Sequence, residues 1–181
     1  MIPLIGKYRT GQDALTPKEY EKILISCYTL EEEALIKVAV ATGLRRADIV
    51  QLLWSNINLE TGAVTYNEKK KGNRIRTVFV GPQLRQVLLK LRNTGLDDKR
   101  VFTFGDRTAY NILRALCDRA RIPRRPFHAL RATCVKRCQA AGWTPEEVCE
   151  LTGDTLRVIQ EHYATPSISQ MAETAASKEV V

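Results

Sequence analysis

The sequence predicts a mainly α-helical domain that carries a small antiparallel β-sheet. Helix start signals, a threonine cap with an acid three residues on, recur along the chain, and each is followed by apolar residues at helical spacing and then a stop. Between Asn56 and Val80 this rhythm gives way to β-branched and aromatic residues around a polar centre. With 181 residues and 44% hydrophobic content, the chain can bury one ordinary core without disulfide or metal staples, so a single domain is expected.

Met1 to Ala14 has weak periodicity and reads as a lead-in or linker remnant. Thr16-Pro17-Lys18-Glu19 is a capping box with proline at the first helical position, so a helix runs from there to about Cys27. Thr29 to Glu32 repeats the device. The helix it starts carries Leu35, Ile36, Val38, Ala39 and Val40, an almost all-round apolar surface that suits a central core helix ending at Gly43. Leu44-Arg45-Arg46-Ala47-Asp48-Ile49 follows that stop and sets two arginines at a helix junction. A guanidinium fixed at such a turn can be aimed; the plainer reading is an arginine pair answering the preceding helix dipole. Asp48 either buttresses an arginine or simply opens the next helix.

Val64 and Tyr66, then Ile75, Val78, Phe79 and Val80, form the two strands, with Thr61-Gly62 as one turn. The second turn, Glu68 to Arg74, is a basic tip with Gly-Asn chemistry for a reversal. Its charges either protect a sheet edge or press on phosphates. Gly81-Pro82 opens a helix with Leu84, Val87, Leu88 and Leu91 inward. Arg92 to Arg100 is a polar loop and Val101 to Phe104 a short extended segment. A helix from Asp106 to Ala120 then turns Leu113, Leu116 and Cys117 inward. Ile122-Pro123-Arg124-Arg125-Pro126 is a stiff, positively charged connector, because each proline disfavours helix in the residue before it. Helix is expected from Phe127 to Ala141 with Gly142 as its stop, and again after the capping box Thr144-Pro145-Glu146-Glu147. Gly153-Asp154-Thr155 stops that helix and starts one that delivers Tyr163. Ser167 to Gln170 begins a last tail helix.

Lys and Arg outnumber Asp and Glu by 28 to 20, a net charge of +8 that favours a polyanionic partner, nucleic acid first. Five cysteines without a CxxC pair exclude a disulfide framework and imply a reducing compartment. Cys134 and Cys138 stand one turn apart, but a zinc site needs four ligands and the two histidines lie elsewhere, so no metal and no other cofactor is expected. No run reaches the ~20 apolar residues of a membrane span, and no signal-peptide core is present at the N-terminus. A cytoplasmic protein is expected.

The stretch from Pro126 to Pro166 gathers both histidines and a tyrosine. His128 and Arg131, three residues apart on a helix, share a face and can hold an anion. Tyr163 is the candidate nucleophile. Arg45, a hairpin lysine, His128, Arg131 and Tyr163 occur in one order, and that set resembles the catalytic domain of the tyrosine recombinase family (phage integrases and Xer-like proteins). The resemblance covers roughly Leu15 to Pro166. Ala41-Thr42-Gly43-Leu44-Arg45 is similar to the first arginine motif of the family, with Asp48 at its acidic position. Lys71-Gly72-Asn73-Arg74-Ile75-Arg76 resembles the lysine hairpin and points to Lys71, with Lys70 as the alternative. His128-Ala129-Leu130-Arg131 matches the His-x-x-Arg box. Gly153 to Tyr163 has the family's ten-residue offset between glycine and nucleophile.

The resemblance implies a site-specific recombinase or integrase. It would cut and rejoin double-stranded DNA through a 3′-phosphotyrosyl intermediate, act as a homotetramer on DNA, and need neither metal nor ATP. Arg45 and Arg131 would screen the phosphate, since guanidinium forks stay charged and match two non-bridging oxygens. Lys71 would protonate the departing 5′-oxygen, and His128 would act as general base or phosphate donor. Arg46, Lys69, Lys70, Arg74, Arg76, Arg124 and Arg125 would contact DNA. The resemblance also implies a core-binding domain N-terminal to this one, absent from the chain as given. Asp154 departs from the pattern, which has His or Trp after the glycine. A carboxylate would repel a phosphate, and capping of the helix near Thr155 is its expected role. His162 is expected on the surface. Alternative readings are relaxation of supercoils in the manner of a type IB topoisomerase, or a DNA-binding relative without catalysis.

Overall fold

The structure, a computed structural model, describes residues 10–163 together with 172 and 175–177. The tail helix expected from Ser167 and most of the expected lead-in lie outside the described residues. A 3-10 turn, Thr10–Asp13, comes first and packs on the helix of the His-x-x-Arg box, so the end of the expected linker belongs to the fold.

The helices α1 (Pro17–Ile25) and α2 (Leu30–Thr42) begin at Thr16 and Thr29, whose side chains accept from the backbone N–H groups of Glu19 and Glu32. In α2, Ala34, Leu35, Ile36, Val38, Ala39 and Val40 are all buried, and the helix packs against α4, α5 and α6 introduced below. Sequestering each large aliphatic side chain contributes roughly 1.5–3 kcal/mol, which makes this all-round apolar helix the axis of the core. A short α3 (Arg46–Ile49) follows Gly43.

Strand β1 (Ala63–Glu68) pairs antiparallel with β2 (Arg74–Phe79), from Ala63 opposite Phe79 to Glu68 opposite Arg74. Val64, Tyr66 and Glu68 point inward by period-two alternation, so a carboxylate occupies the last inward position. The connection is a 3-10 turn, Lys69–Lys71, closed by Gly72 and Asn73, both left-handed. Beyond the sheet come α4 (Pro82–Asn93) and α5 (Asp106–Arg119); between them Val101 to Phe104 runs through bends, not as a strand, with the Val101 N–H donating to the Leu52 carbonyl.

Helices α6 (His128–Ala140), α7 (Pro145–Thr152) and α8 (Leu156–His162) close the described fold. A full capping box at Thr144 starts α7, and Gly153 stops it in the left-handed region at φ 72°. Ala132, Val135, Val148, Ile159 and Tyr163 form a second, smaller apolar cluster joining these three helices. Among the described residues, no helix is long and apolar enough to cross a membrane.

Candidate active site

Gly43 ends α2 in the left-handed conformation, φ 64°, and the chain leaves it so that Arg45 stands in extended backbone just before α3. Its Nη1 donates to Oε1 of Glu68 at 2.5 Å, and Glu68 is 1% exposed. A charge-assisted bond to a buried carboxylate fixes the fork in direction as well as position. Asp48 is buried as well and accepts the Lys69 backbone N–H at 3.3 Å, so it ties α3 to the start of the hairpin tip. Burial raises the Asp48 pKa above the ordinary carboxyl value.

Arg131 reaches the same place from α6. Its side chain is 5% exposed and donates to the carbonyls of Gly43 and Thr152, the latter at 2.7 Å. Its Nη2 also lies 2.7 Å from Oδ2 of Asp154, whose Oδ1 faces Nη2 of Arg45 at 3.9 Å. One carboxylate is therefore bracketed by both guanidiniums. The expected capping role of Asp154 is not what the structure has: Thr155 is the cap of α8, its hydroxyl accepting from Val158 N–H at 3.3 Å. With a threonine in the capping position, the neighbouring carboxylate is drawn instead to the two cations.

His128 opens α6 one turn before Arg131, and its Nε2 lies 3.3 Å from the Tyr163 hydroxyl. Desolvation, with the Arg131 charge next, lowers the His128 pKa below its ordinary 6.5, so the imidazole is neutral at neutral pH and able to accept a proton. Tyr163 ends α8 and is 3% exposed within the second apolar cluster. Lys136 Nζ and Gln139 Nε2, both on α6, donate to the Tyr163 carbonyl at 2.8 and 3.3 Å. His162 is half-buried rather than on the surface, and its Nδ1 is buried without a hydrogen-bond partner among the described residues.

Arg45, Lys69, Lys70, His128, Arg131, Asp154, His162 and Tyr163 all line one cavity of about 660 Å³. Lys71 is not among the residues that line it; its ammonium donates to the Gly153 carbonyl at 2.5 Å, one residue before Asp154. Among the other cations expected on DNA, Lys69, Lys70 and Arg74 are exposed at the hairpin tip. The remaining four are engaged within the protein. Arg76 donates to the Glu150 carbonyl and lies where a side chain at Gly153 would stand. Arg46 forms a two-pronged pair with Asp106 at 2.7 and 2.8 Å and lies over the Tyr110 ring. Arg124 does the same with Asp118 at 2.8 and 2.7 Å, and Arg125 pairs with Glu19 at 3.0 Å. Acids pair with three of these arginines, of which Arg124 stays exposed within its pair.

Glu68, Lys136 and Gln139 were not singled out from the sequence. The signal for Glu68 was present: it continues the inward alternation of Val64 and Tyr66. Among the described residues, no group of three or more His, Cys, Asp or Glu side chains is arranged to hold a metal ion.

The family model described as the phage integrase family matches residues 13–167. The chain belongs to the phage integrase family. A relative, the tyrosine recombinase XerA of Saccharolobus solfataricus, is 28% identical over 132 residues, 72% of this chain and 45% of that protein. The chain thus spans about half the length of the curated relative it matches. This phage integrase domain shares its fold with the crystal structure of XerA recombinase, at a TM-score of 0.80 and 19% identity over 93% of this chain and 65% of the other. It is similar also to the XerH site-specific recombinase bound to difH substrate, at a TM-score of 0.72 and 20% identity over 93% of this chain and 55% of that one. The mainly helical fold with a two-stranded antiparallel sheet matches the corresponding part of these recombinase structures.

Proposed function

We propose that this domain cuts and rejoins double-stranded DNA as a site-specific recombinase, through a 3′-phosphotyrosyl intermediate. The observation that carries the reading is the convergence of Arg45 and Arg131 on a single anionic group, in the cavity where the Tyr163 hydroxyl meets His128. Two guanidiniums held to one anion suit the two non-bridging oxygens of a phosphodiester and the charge that builds on them in the transition state. XerH, similar in fold, is bound to its difH substrate, which supports duplex DNA as the partner.

In this mechanism the Tyr163 oxygen attacks the phosphorus and its proton passes to Nε2 of His128. The bond from phosphorus to the 5′-oxygen breaks, and that oxygen takes a proton from Lys71, which leaves the Gly153 carbonyl to deliver it. The phosphotyrosyl bond conserves the energy of the phosphodiester, so attack by a 5′-hydroxyl of a second duplex reverses the step without ATP. Residues 15–166 are the catalytic unit in this reading. A core-binding domain on the N-terminal side and a homotetramer on two duplexes complete the active assembly.

Incubation with duplex DNA nicked to trap the cleaved state tests the proposal. A covalent protein–DNA adduct is expected, and it disappears in Tyr163→Phe. An adduct unaffected by that substitution, or none on any candidate attachment-site DNA, refutes the assignment. Strand exchange between two duplexes separates recombination from relaxation alone.

A further inference from the structure

One turn engages the cations that this reaction would aim at phosphate. Between α7 and α8, the Thr152 carbonyl and Asp154 Oδ2 both take Arg131 Nη2, each at 2.7 Å. Asp154 Oδ1 faces Arg45 at 3.9 Å, and the Gly153 carbonyl takes the Lys71 ammonium at 2.5 Å. Three consecutive residues thus engage Arg45, Lys71 and Arg131. A carboxylate that offers one oxygen to each guanidinium imitates a phosphodiester offering its two non-bridging oxygens.

We infer that Asp154 is a latch, an anion built into the chain that fills the phosphate seat until DNA displaces it. The inference rests on the assignment of Arg45 and Arg131 to phosphate made above. Two anions cannot share the seat, so a phosphate enters only as the carboxylate leaves. The local backbone permits that movement. Asp154 follows the left-handed Gly153 and precedes Thr155, which caps α8 by itself, so no helix depends on the Asp154 side chain. Its hold is also uneven, close on Arg131 and looser on Arg45, and its side chain retains 12% exposure at the cavity wall. Apparent affinity for phosphate is then reduced by the fraction of molecules in which the seat is open.

Asp154→Asn and Asp154→Ser, each measured with inorganic phosphate and with nicked duplex DNA, test the latch. The rise of the thermal midpoint with phosphate reports binding even where an altered side chain lowers the starting stability. Phosphate is expected to bind the variants about tenfold more tightly than the original protein, and Tyr163 adduct to reach half its maximum at about tenfold less DNA. Adding Arg131→Gln to either variant removes the gain. Binding no tighter than in the original protein overturns the latch. So does unfolding of both variants, since a carboxylate that the fold cannot release cannot swing aside. Tighter phosphate binding with no Tyr163-dependent adduct in any of the proteins retains the latch and overturns the recombinase reading.

Discussion

Arg45 and Glu68 form a 2.5 Å ion pair that joins the start of α3 to the end of β1. The carboxylate is almost fully enclosed, and its second oxygen has no hydrogen-bond partner among the described residues. Glu68 is thus committed to this arginine. Removal of one member of a buried pair strands the other charge in low dielectric, which costs more than the pair itself contributes. Arg45→Ala should lower folding stability by about 3 kcal/mol. Glu68→Gln added to it should restore over half of that loss while leaving DNA cleavage abolished. Urea unfolding followed by circular dichroism checks both, and an absence of recovery in the double variant would mean that Glu68 is satisfied by another group.

Gly153→Ala tests the turn that carries the latch. A left-handed φ of 72° costs a non-glycine residue about 1 kcal/mol, and the added methyl also meets the Arg76 guanidinium. A total loss of about 2 kcal/mol is expected, most of the part above the backbone cost vanishing when Arg76→Ala is present in the background. Thermal midpoints of the four proteins in the cycle give the answer.

The lowered His128 pKa fixes the direction of a pH effect. Below about pH 6.5 the unfolded chain takes up a proton at this histidine before the folded protein does, so stability falls with acid from there down through the folded value. Well above pH 6.5 neither state is protonated and this contribution is complete. In the proposed reaction the neutral imidazole accepts the Tyr163 proton, and that form is lost over the same acidic window. Adduct formation should therefore be level at neutral pH and decline below the ordinary histidine range. In His128→Asn the histidine-linked part of the stability slope disappears, as midpoints measured between about pH 5 and pH 7.5 will reveal.

Salt titration of DNA binding separates the hairpin cations from the internally paired arginines. Neutralising Lys69, Lys70 or Arg74 should each reduce the slope of log affinity against log salt by about one. Neutralising Arg124, held by Asp118, or Arg46, held by Asp106, should leave that slope nearly unchanged. Equal effects from both groups would show that the arginines abandon their acids on DNA.

What could be read from the sequence was what local chemistry controls. Thr16, Thr29 and Thr144 start helices where their caps predict, Gly43 and Gly153 stop them, and the alternation of Val64 and Tyr66 makes a strand. The convergence of Arg45, His128, Arg131 and Tyr163 was legible only through motif order, because 118 positions separate the first from the last. The pairs Arg46–Asp106 and Arg125–Glu19 carry no local signature at separations of 60 and 106 residues. For the same reason these arginines looked available for DNA. Asp154 reads as a cap because capping is decided by neighbours, whereas its partners are Arg45, just before α3, and Arg131 of α6.

Helix α6 bears His128 and Arg131 near its first turn, and Lys136 and Gln139 further along hold the Tyr163 backbone. His128, Arg131 and the Tyr163 backbone are in this way indexed to a single rod, whose rise per residue is set by its own backbone bonds. Loosening the sheet or α3 would displace Arg45 alone, whereas damage to that rod would displace His128, Arg131 and the Tyr163 backbone together.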